Sequence, residues 1–349
     1  MHARRLTAGA AALVCAVAPA AAPARADTYG DRLGAHSMLY LTSTPEQHRA
    51  LFRAARETQV RSIRLDFTMG AVFRFLQPPE YAAVDRVNRL ARRYRLQVDA
   101  VITGLPFWLA GCPPGTELAQ MSNCALRADA QAEAEWSQMV FDVVRRSPSV
   151  RYWELGNEPD VRSFFIGTPA QYARMATVTA RAIRAARPSA TIVLGGTSRL
   201  DRRFLRAVLH DDSNPLAEQI DVAAVHLRGA LSGMGRLARA SLRFFRSTGF
   251  RGPLWVTETG YPSEPAHQWD PSLTGGERDQ ARWIARGPRA LLAGGCDRVF
   301  VTLRDGPEFG PQSAFASEGI VHWPELTADG RAIPKPAFAA LRRVAMTPG

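Results

Sequence analysis

Lysine is nearly absent from this sequence, and its absence bears on what the chain can bind. Lys335 is the only lysine among 44 basic residues, and the arginines are scattered along helical stretches, as at Arg89, Arg92, Arg93 and Arg95. This bias is more typical of GC-rich codon usage than of phosphate recognition, which uses a basic patch on one face. The sequence therefore predicts no nucleic-acid partner.

Long apolar runs are also absent, apart from residues 6–22. Arg4 and Arg5 precede that run, and the small residues Ala24 and Ala26 follow it, as in a secretory signal peptide cleaved near Ala26. A retained membrane anchor is the weaker alternative, because prolines interrupt the run. No later run approaches the roughly 18 residues of a membrane span. We therefore expect a signal peptide over 1–26, a secreted or periplasmic protein, and no stable membrane insertion.

Cysteine is scarce, with three residues after the expected signal peptide. Cys112 and Cys124 flank a Pro/Gly-rich loop, which in an oxidising compartment favours a local disulfide. A zinc site is the weaker interpretation, since no nearby pair of His or Cys residues completes four ligands. Cys296 precedes an apolar strand, and we expect it to be a buried free thiol.

Residues 27–349 show no linker, low-complexity segment or shift in composition, which favours a single domain. Short apolar runs alternate with amphipathic helical stretches, and Thr44 and Thr168 each begin a capping box before such a helix. The predicted strands are Leu33–Ser37, Ser62–Phe67, Gln97–Ile102, Val150–Gly156, Thr191–Gly195, Asp221–His226, Leu254–Glu258 and Arg298–Leu303. Eight such units predict an α/β fold, a (β/α)8 TIM barrel.

Two glutamates 100 positions apart are the candidate catalytic residues of this sequence. Glu158 follows the fourth predicted strand, within YWELGNEP, and Glu258 ends the seventh, within LWVTETG. Parallel strands place their carboxyl ends at one rim of a barrel, so both side chains should meet there. Enzymes that cleave glycosidic bonds typically use two carboxyl groups that flank one cleft. The weaker alternative for Glu158 is a helix cap or a surface ion pair.

These two segments resemble the acid/base and nucleophile strands of clan A glycoside hydrolases, and within the clan the arrangement looks most like family 39 or family 5. The resemblance implies a retaining glycosidase on a (β/α)8 barrel that needs no cofactor or metal. It implies Glu158 as acid/base, Glu258 as nucleophile, and Asn157 as a contact of the sugar 2-hydroxyl. Pro159 should restrict Glu158 to an extended backbone that projects its carboxyl group.

Further substrate-binding residues follow from the strand ends. By the resemblance Arg64, on the second strand, partners the nucleophile; alternatively it only balances Asp66 or Glu154 inside the barrel. His226 and His36 end the sixth and first strands, where ordinary core packing is the competing interpretation. Asp305, after the eighth strand, either lines the cleft or pairs with Arg304.

Sugar rings need aromatic platforms, because aromatic side chains offer large apolar faces with little flexibility. Trp108 follows the third strand and Tyr261 follows Glu258, so we expect both on the rim. Trp153 and Trp255 should lie deeper and pack against helices. Trp269 and Trp323 lie in later loops and are candidates for outer subsites, with ordinary packing as an equal alternative.

Two departures from the clan pattern concern the substrate. Arg228 stands where the clan often has a tyrosine two residues after the sixth-strand histidine, and the eighth strand lacks the usual tryptophan.

We expect a secreted, monomeric, retaining β-glycosidase that acts on a poly- or oligosaccharide, with endo action favoured. The formal net charge of +12 falls to +9 without the three arginines of residues 1–26, so an acidic polysaccharide would be attracted. A carbohydrate-binding pseudoenzyme and a transglycosylase are the alternatives.

Overall fold

The computed structural model describes residues 28–349 as a parallel barrel surrounded by helices. The predicted signal peptide at 1–26 lies outside the described residues. The barrel strands are β1 Leu33–Tyr40, β2 Ser62–Thr68, β3 Gln97–Thr103, β4 Val150–Asn157, β5 Thr191–Gly196, β6 Ala223–His226, β7 Leu254–Thr259 and β8 Arg298–Thr302. All eight predicted strands are confirmed, with ends that shift by a few residues at most.

The helices alternate with these strands along the chain. They are α1 Tyr29–Arg32, α2 Pro45–Glu57, α3 Met69–Val72, α4 Ala82–Tyr94, α5 Ala130–Arg146, α6 Pro169–Ala186, α7 Arg202–Leu209, α8 Met234–Ser247, α9 Glu277–Ala293 and α10 Pro336–Met346. After β8 the chain adds an antiparallel hairpin, β9 Val321–Leu326 and β10 Ala332–Pro334. Within residues 28–349, no helix has the length and apolar character that crossing a membrane requires.

The strand order closes the sheet on itself. Parallel neighbours run β5-β4-β3-β2-β1-β8-β7-β6. The remaining gap between β5 and β6 is bridged by backbone bonds, in which Leu194 N–H donates to the Val222 carbonyl at 2.9 Å and His226 N–H donates to that of Thr197 at 2.8 Å. The predicted TIM barrel is confirmed, and every strand end that carries a predicted site residue faces one rim.

Two apolar layers fill the fold. Outside the sheet, large side chains such as Trp136, Trp153 and Trp283 are fully buried between strands and helices. Inside the barrel, Tyr152, Trp255 and Phe300 form a separate cluster. Trp153 therefore lies in the helix layer as predicted, whereas the prediction for Trp255 is wrong. Its strand position faces the barrel interior, where its ring centroid lies 4.9 Å from that of Tyr152.

Local sequence signals explain how the helices begin. Thr44 and Thr168 accept hydrogen bonds from the N–H groups of Gln47 and Gln171, whose side chains bond back to the cap backbone. Both predicted capping boxes are thus confirmed. Each satisfies two amide groups that the first helical turn leaves without intrahelical partners.

The cysteine predictions are also confirmed. Cys112 and Cys124 form a disulfide that closes the loop after β3, and Cys296 is a buried free thiol. The disulfide holds Cys124 against the wall of the cavity at the carboxyl end of the barrel. Local loop closure therefore shapes the rim on the side of β3 and β4.

Candidate active site

The structure brings Glu158 and Glu258 together at the carboxyl ends of β4 and β7. Both are largely buried, with exposed fractions of 8% and 7%. One carboxylate oxygen of each and one ring nitrogen of His226 lie within 4.8 Å of one another. His226 Nδ1 stands between the two carboxylates, at 2.7 Å from Glu158 Oε1 and 3.4 Å from Glu258 Oε2. This is the pair of flanking carboxyl groups that the strand ends predict.

Arg64 is the cation on which the site is built. Its Nη1 donates to Glu258 Oε1 at 2.8 Å, and its Nη2 donates to Asn157 Oδ1 at 2.8 Å. Its Nε donates to Glu154 Oε2 at 2.6 Å, and Nη1 also lies 3.0 Å from His36 Nδ1, so one guanidinium joins four side chains. Arg64 is 1% exposed. Burial of its guanidinium is tolerated because the N–H groups donate hydrogen bonds to these side chains. Arg64 therefore pairs with Glu258 as expected, and the alternative in which it balances only Asp66 or Glu154 is wrong, although Glu154 is also its partner.

The second oxygen of Glu258 has a partner that sequence reasoning did not assign. Arg228 Nη2 donates to Glu258 Oε2 at 2.9 Å, and Arg228 Nε donates to Glu318 Oε1 at 2.7 Å. Glu318 is fully buried and lies in the loop after β8. The departure at Arg228 was visible in the sequence, but its link to Glu318 depends on a contact 90 residues away.

Charge around Glu258 decides its protonation state. Burial alone would raise the pKa of this carboxyl, but His226, His36, Arg64 and Arg228 outweigh it and hold the pKa well below its usual range. His36 lies with Nε2 at 3.3 Å from Glu258 Oε1, and burial lowers the pKa of its imidazole well below the usual value. The two arginines are thus the permanent charges that keep Glu258 ionised, as a nucleophile requires.

Glu158 adopts an unusual backbone conformation. Its φ angle is +39°, in the left-handed region, so the expectation of an extended backbone before Pro159 is wrong. Its N–H donates to the Gly196 carbonyl on β5 at 2.9 Å, and this bond turns the chain at the strand end. A left-handed non-glycine residue costs of order 1–3 kcal/mol and persists only where its surroundings hold it. The turn directs the Glu158 side chain to His226.

Two predicted site residues lie elsewhere. Tyr261 is fully buried and stacks on Trp283 of α9 at 5.8 Å between ring centroids, because the chain turns inward after β7. Asp305 is largely buried and accepts a hydrogen bond from Lys335 Nζ at 2.7 Å. Neither belongs to the wall of the cavity at the carboxylates, so the predicted rim position of Tyr261 is wrong, while a substrate-binding role of Asp305 stays a prediction. The only lysine of the chain instead anchors the start of α10 to the loop after β8.

Trp108 lies near the rim but outside the wall of the cavity. Its indole N–H donates to Glu135 at 2.7 Å, and its ring contacts Phe75 and Phe107 at 5.5 Å and 5.3 Å between centroids. Phe75 is 52% and Phe107 is 47% exposed, so this is an aromatic patch on the loops after β2 and β3. A role of Trp108 in substrate binding stays a prediction.

A cavity of about 320 Å³ opens at the paired carboxylates. Its polar wall includes the predicted His36, Asn157, Glu158 and Glu258. Sequence reasoning missed other members of the wall, among them Tyr40, Asp66, Thr68, Phe309 and Phe315. Burial raises the pKa of Asp66 to about 7, which makes this carboxyl group able to donate or accept a hydrogen bond near neutrality.

A metal ion is not what this geometry favours. Glu158, His226 and Glu258 offer three ligand atoms close together. Both oxygens of Glu258 already accept hydrogen bonds from guanidinium groups, and a cation here would stand beside two arginines. These hydrogen bonds instead place the two carboxyl groups in different electrostatic surroundings, as an acid/base and a nucleophile require.

Comparisons of the chain with known proteins identify the class of its fold. No family model and no curated protein matches its sequence. By structure, the fold is shared with glycoside hydrolases that include family 39. A family 39 glycoside hydrolase from Bacteroides cellulosilyticus WH2 matches with a TM-score of 0.66 and 16% identity, over 90% of this chain and 63% of that one.

Two other solved structures show the same likeness. A monomeric β-xylosidase from Caulobacter crescentus CB15 matches with a TM-score of 0.69 and 18% identity, over 93% of this chain and 70% of that one. An exo-β-1,4-mannosidase from an Opitutaceae bacterium matches with a TM-score of 0.61 and 15% identity, over 90% and 59% of the two chains. The chain thus spans only 59–70% of the length of these structures. The predicted resemblance to clan A is confirmed at the level of the fold.

Proposed function

We propose that this chain is a retaining β-glycosidase in which Glu258 is the nucleophile and Glu158 the acid/base. The observation that carries the proposal is the approach of one carboxylate oxygen of Glu158 and one of Glu258 to within 4.8 Å. Retaining enzymes hold their carboxyl groups about 5–5.5 Å apart, whereas inverting enzymes leave about 6.5–9.5 Å for a water molecule. The separation in this site supports direct attack by a carboxylate.

The proposed reaction proceeds in two displacements. Glu258, kept ionised by Arg64 and Arg228, attacks the anomeric carbon while Glu158 gives its proton to the departing oxygen. The glycosyl–Glu258 ester is then broken by a water whose proton Glu158 accepts, and the carboxylate of Glu258 leaves. His226 Nδ1 lies 2.7 Å from Glu158 Oε1, and the hydrogen bond between them orients the acid/base in both steps. Asn157, fixed by Arg64, is available to the 2-hydroxyl of the sugar.

The proposed substrate is an oligo- or polysaccharide outside the cytoplasm. The carboxylate pair and the cleft support a glycan, and secretion rests on residues 1–26 of the sequence. The aromatic patch of the exposed Phe75 and Phe107 and the half-buried Trp108 supports contact with a longer chain. One of the similar structures is named as an exo-acting enzyme. Cleavage of internal bonds by this chain is therefore a separate prediction.

Product analysis tests the proposal directly. We expect the purified protein to release sugars from a panel of polysaccharides and 4-nitrophenyl β-glycosides. Proton NMR at early times should show the β-anomer of the product, and an α-anomer would refute retention. Glu258→Gln should lower kcat by at least about 10³-fold with glycan binding preserved, whereas the exposed Glu218→Gln should not change it.

The same measurements separate the alternatives. Products larger than the substrate would identify a transglycosylase, because the glycosyl–enzyme then passes to a sugar hydroxyl. Glycan binding with no turnover of any panel member would identify a carbohydrate-binding protein and refute the hydrolase. Product sizes distinguish internal from terminal cleavage.

A further inference from the structure

Exposed aromatic rings lie on both sides of the carboxylate pair in the wall of the cavity. Phe164 is 39% exposed and lies in the loop after β4, whereas Phe309 is 41% exposed and lies in the loop after β8. Both rings line the same cavity as Glu158 and Glu258. A large part of each ring is therefore uncovered at the cavity, where a ligand can contact it.

Phe164 lies on the side of the acid/base residue. Val161 N–H donates to the Glu158 carbonyl at 2.9 Å, and Phe164 N–H donates to the Val161 carbonyl at 2.9 Å. Asn123, from the loop after β3, donates through Nδ2 to the Ser163 carbonyl at 2.9 Å. Two successive turns and a bond from the neighbouring loop thus hold this ring close to the end of β4.

Phe309 lies on the side of the nucleophile. Its ring centroid is 5.6 Å from that of Phe315, which in turn lies 4.7 Å from the guanidinium carbon of Arg228, a partner of Glu258. Phe309 N–H donates to the Gly306 carbonyl at 3.0 Å, and Gly306 N–H donates to the Phe315 carbonyl at 3.0 Å. Because β8 pairs with β7, the loop that carries both rings lies next to the strand of Glu258.

A polar group lies in the wall between the two aromatic loops. In the sheet, β3, β2 and β1 lie between β4 and β8, and Asp66 is near the end of β2. Asp66 is 8% exposed, and its side chain makes one hydrogen bond within residues 28–349, the long contact with Thr103 Oγ1 at 3.4 Å. Its carboxyl group is thus available to hydroxyls of a bound sugar. Flat aromatic faces beside such a group match a sugar ring, which has apolar C–H faces and outward hydroxyls.

We propose that Phe164 and Phe309 are platforms for sugars on opposite sides of the scissile bond, so that the leaving group of the substrate is itself a sugar. This inference rests on the proposed function. Glu158 protonates the oxygen of the leaving group, so the ring beside Glu158 contacts the departing sugar. Glu258 attacks the other sugar, so the ring of Phe309 contacts the glycosyl part that becomes bound to the enzyme.

Replacement of each ring by leucine tests the two sides separately. For whichever oligosaccharide is hydrolysed, we expect Phe164→Leu and Phe309→Leu each to lower kcat/KM about tenfold, because leucine lacks a flat face for the sugar. The β-glycosyl fluoride of the same glycosyl part has no leaving sugar. Its kcat/KM should therefore be unchanged in Phe164→Leu and about tenfold lower in Phe309→Leu.

Further variants separate a platform from a structural role. Phe164→Tyr and Phe309→Tyr keep a flat ring and should keep kcat/KM for the oligosaccharide within about twofold of the wild-type value. Phe250→Leu is the matched control, since this half-buried ring lies before β7, at the opposite end of the barrel. It should leave kcat/KM unchanged for both substrates.

The kinetic outcomes decide each assignment. An equal loss for the oligosaccharide and the fluoride in Phe164→Leu would overturn the contact of Phe164 with the leaving sugar. Wild-type kinetics in Phe309→Leu would overturn the contact of Phe309 with the glycosyl part. Loss of activity in the tyrosine variants equal to that in the leucine variants would show a structural role and overturn the platforms.

Failure of the proposed function gives a different result. A wild-type protein that hydrolyses neither glycans nor glycosyl fluorides would refute the hydrolase. Calorimetric binding of the same oligosaccharides then decides the platforms. Binding weakened about tenfold in Phe164→Leu and Phe309→Leu, but not in Phe250→Leu, would support them. Unweakened binding, or none to the wild-type protein, would overturn them.

Discussion

Two guanidinium groups bind the carboxylate of Glu258, one on each oxygen. A carboxylate held this way is a weaker nucleophile but a better leaving group, so in the proposed mechanism the arrangement favours release of the glycosyl–enzyme. Arg228 is itself oriented by Glu318, which also accepts a hydrogen bond from Thr302 Oγ1 at 2.9 Å. The pH dependence of catalysis should report on this charge.

Replacement of Arg228 should move the acidic limb of the pH profile. Glu258 acts as a carboxylate, and its pKa is low partly because of Arg228. In Arg228→Gln that pKa rises, so we expect the acidic limb of kcat/KM to shift to higher pH by about one unit. Arg228→Lys keeps the charge and should shift it less. An acidic limb at the same pH in Arg228→Gln and in the wild-type protein would contradict this role of Arg228.

Arg64 should also stabilise the folded chain. Its removal leaves Glu154, which is fully buried, without its guanidinium partner. We expect Arg64→Met to lower the free energy of unfolding by about 3–5 kcal/mol in urea denaturation. Arg243→Met, at an exposed position, should lower it by less than about 0.5 kcal/mol. Addition of Glu154→Leu should recover part of the loss, and no recovery would argue that the buried charge is not the cause.

At the scale of the element, helix caps and apolar runs specify most of the architecture. Loss of the cap of α6 in Thr168→Ala should lower the free energy of unfolding by about 1 kcal/mol, because the N–H of Gln171 loses its acceptor, the Thr168 hydroxyl. Thermal or urea denaturation measures this change, with Ser189→Ala as an exposed control three residues after α6. An equal effect of both substitutions would contradict a capping role.

The elements of this fold could be predicted from sequence because their signals are local. The strands are short apolar runs, and Thr44 and Thr168 have their cap partners three residues away. The rim could be predicted in outline because parallel strands bring Glu158 and Glu258 to one end. This is why the two glutamates, Arg64, Asn157 and both histidines lie where expected.

The errors arise where the chain leaves a strand. Tyr261 turns into the core to stack on Trp283, and Glu158 turns left-handed because its N–H finds the Gly196 carbonyl. Neither partner is near in sequence. The same holds for the bond between Arg228 and Glu318. Sequence patterns place a strand end at the rim, but the contacts of the following residue depend on the closed barrel.

At the scale of the whole molecule, closure of the barrel buries several carboxyl groups in its interior. Asp99 is fully buried, and both of its oxygens lack hydrogen-bond partners among the described residues. Burial raises its pKa well above the usual value, and burial likewise raises the pKa of Asp66 to about 7. Such groups favour the protonated form in the folded state and the ionised form in the unfolded state.

The sign of the resulting pH dependence follows from proton counting. Between the unfolded pKa of Asp66, near 4, and its folded pKa, the folded state binds more protons than the unfolded state. The free energy of unfolding must then fall as pH rises through this window. Glu258, with its lowered pKa, contributes in the opposite direction, and only below its unfolded pKa, so its part is complete before the pH range tested for Asp66.

Replacement of Asp66 should therefore flatten the pH dependence of stability. We expect the wild-type protein to lose about 2 kcal/mol of unfolding free energy through Asp66 alone between about pH 5 and about pH 7. Asp66→Asn should remove this part of the slope, because the amide does not titrate. Urea denaturation across this range measures both slopes, and Thr103→Val controls for loss of the long Asp66–Thr103 contact at 3.4 Å. Parallel slopes for the wild-type protein and Asp66→Asn would show that this carboxyl is ionised in the fold from low pH, and that the barrel mouth is wetter than its burial implies.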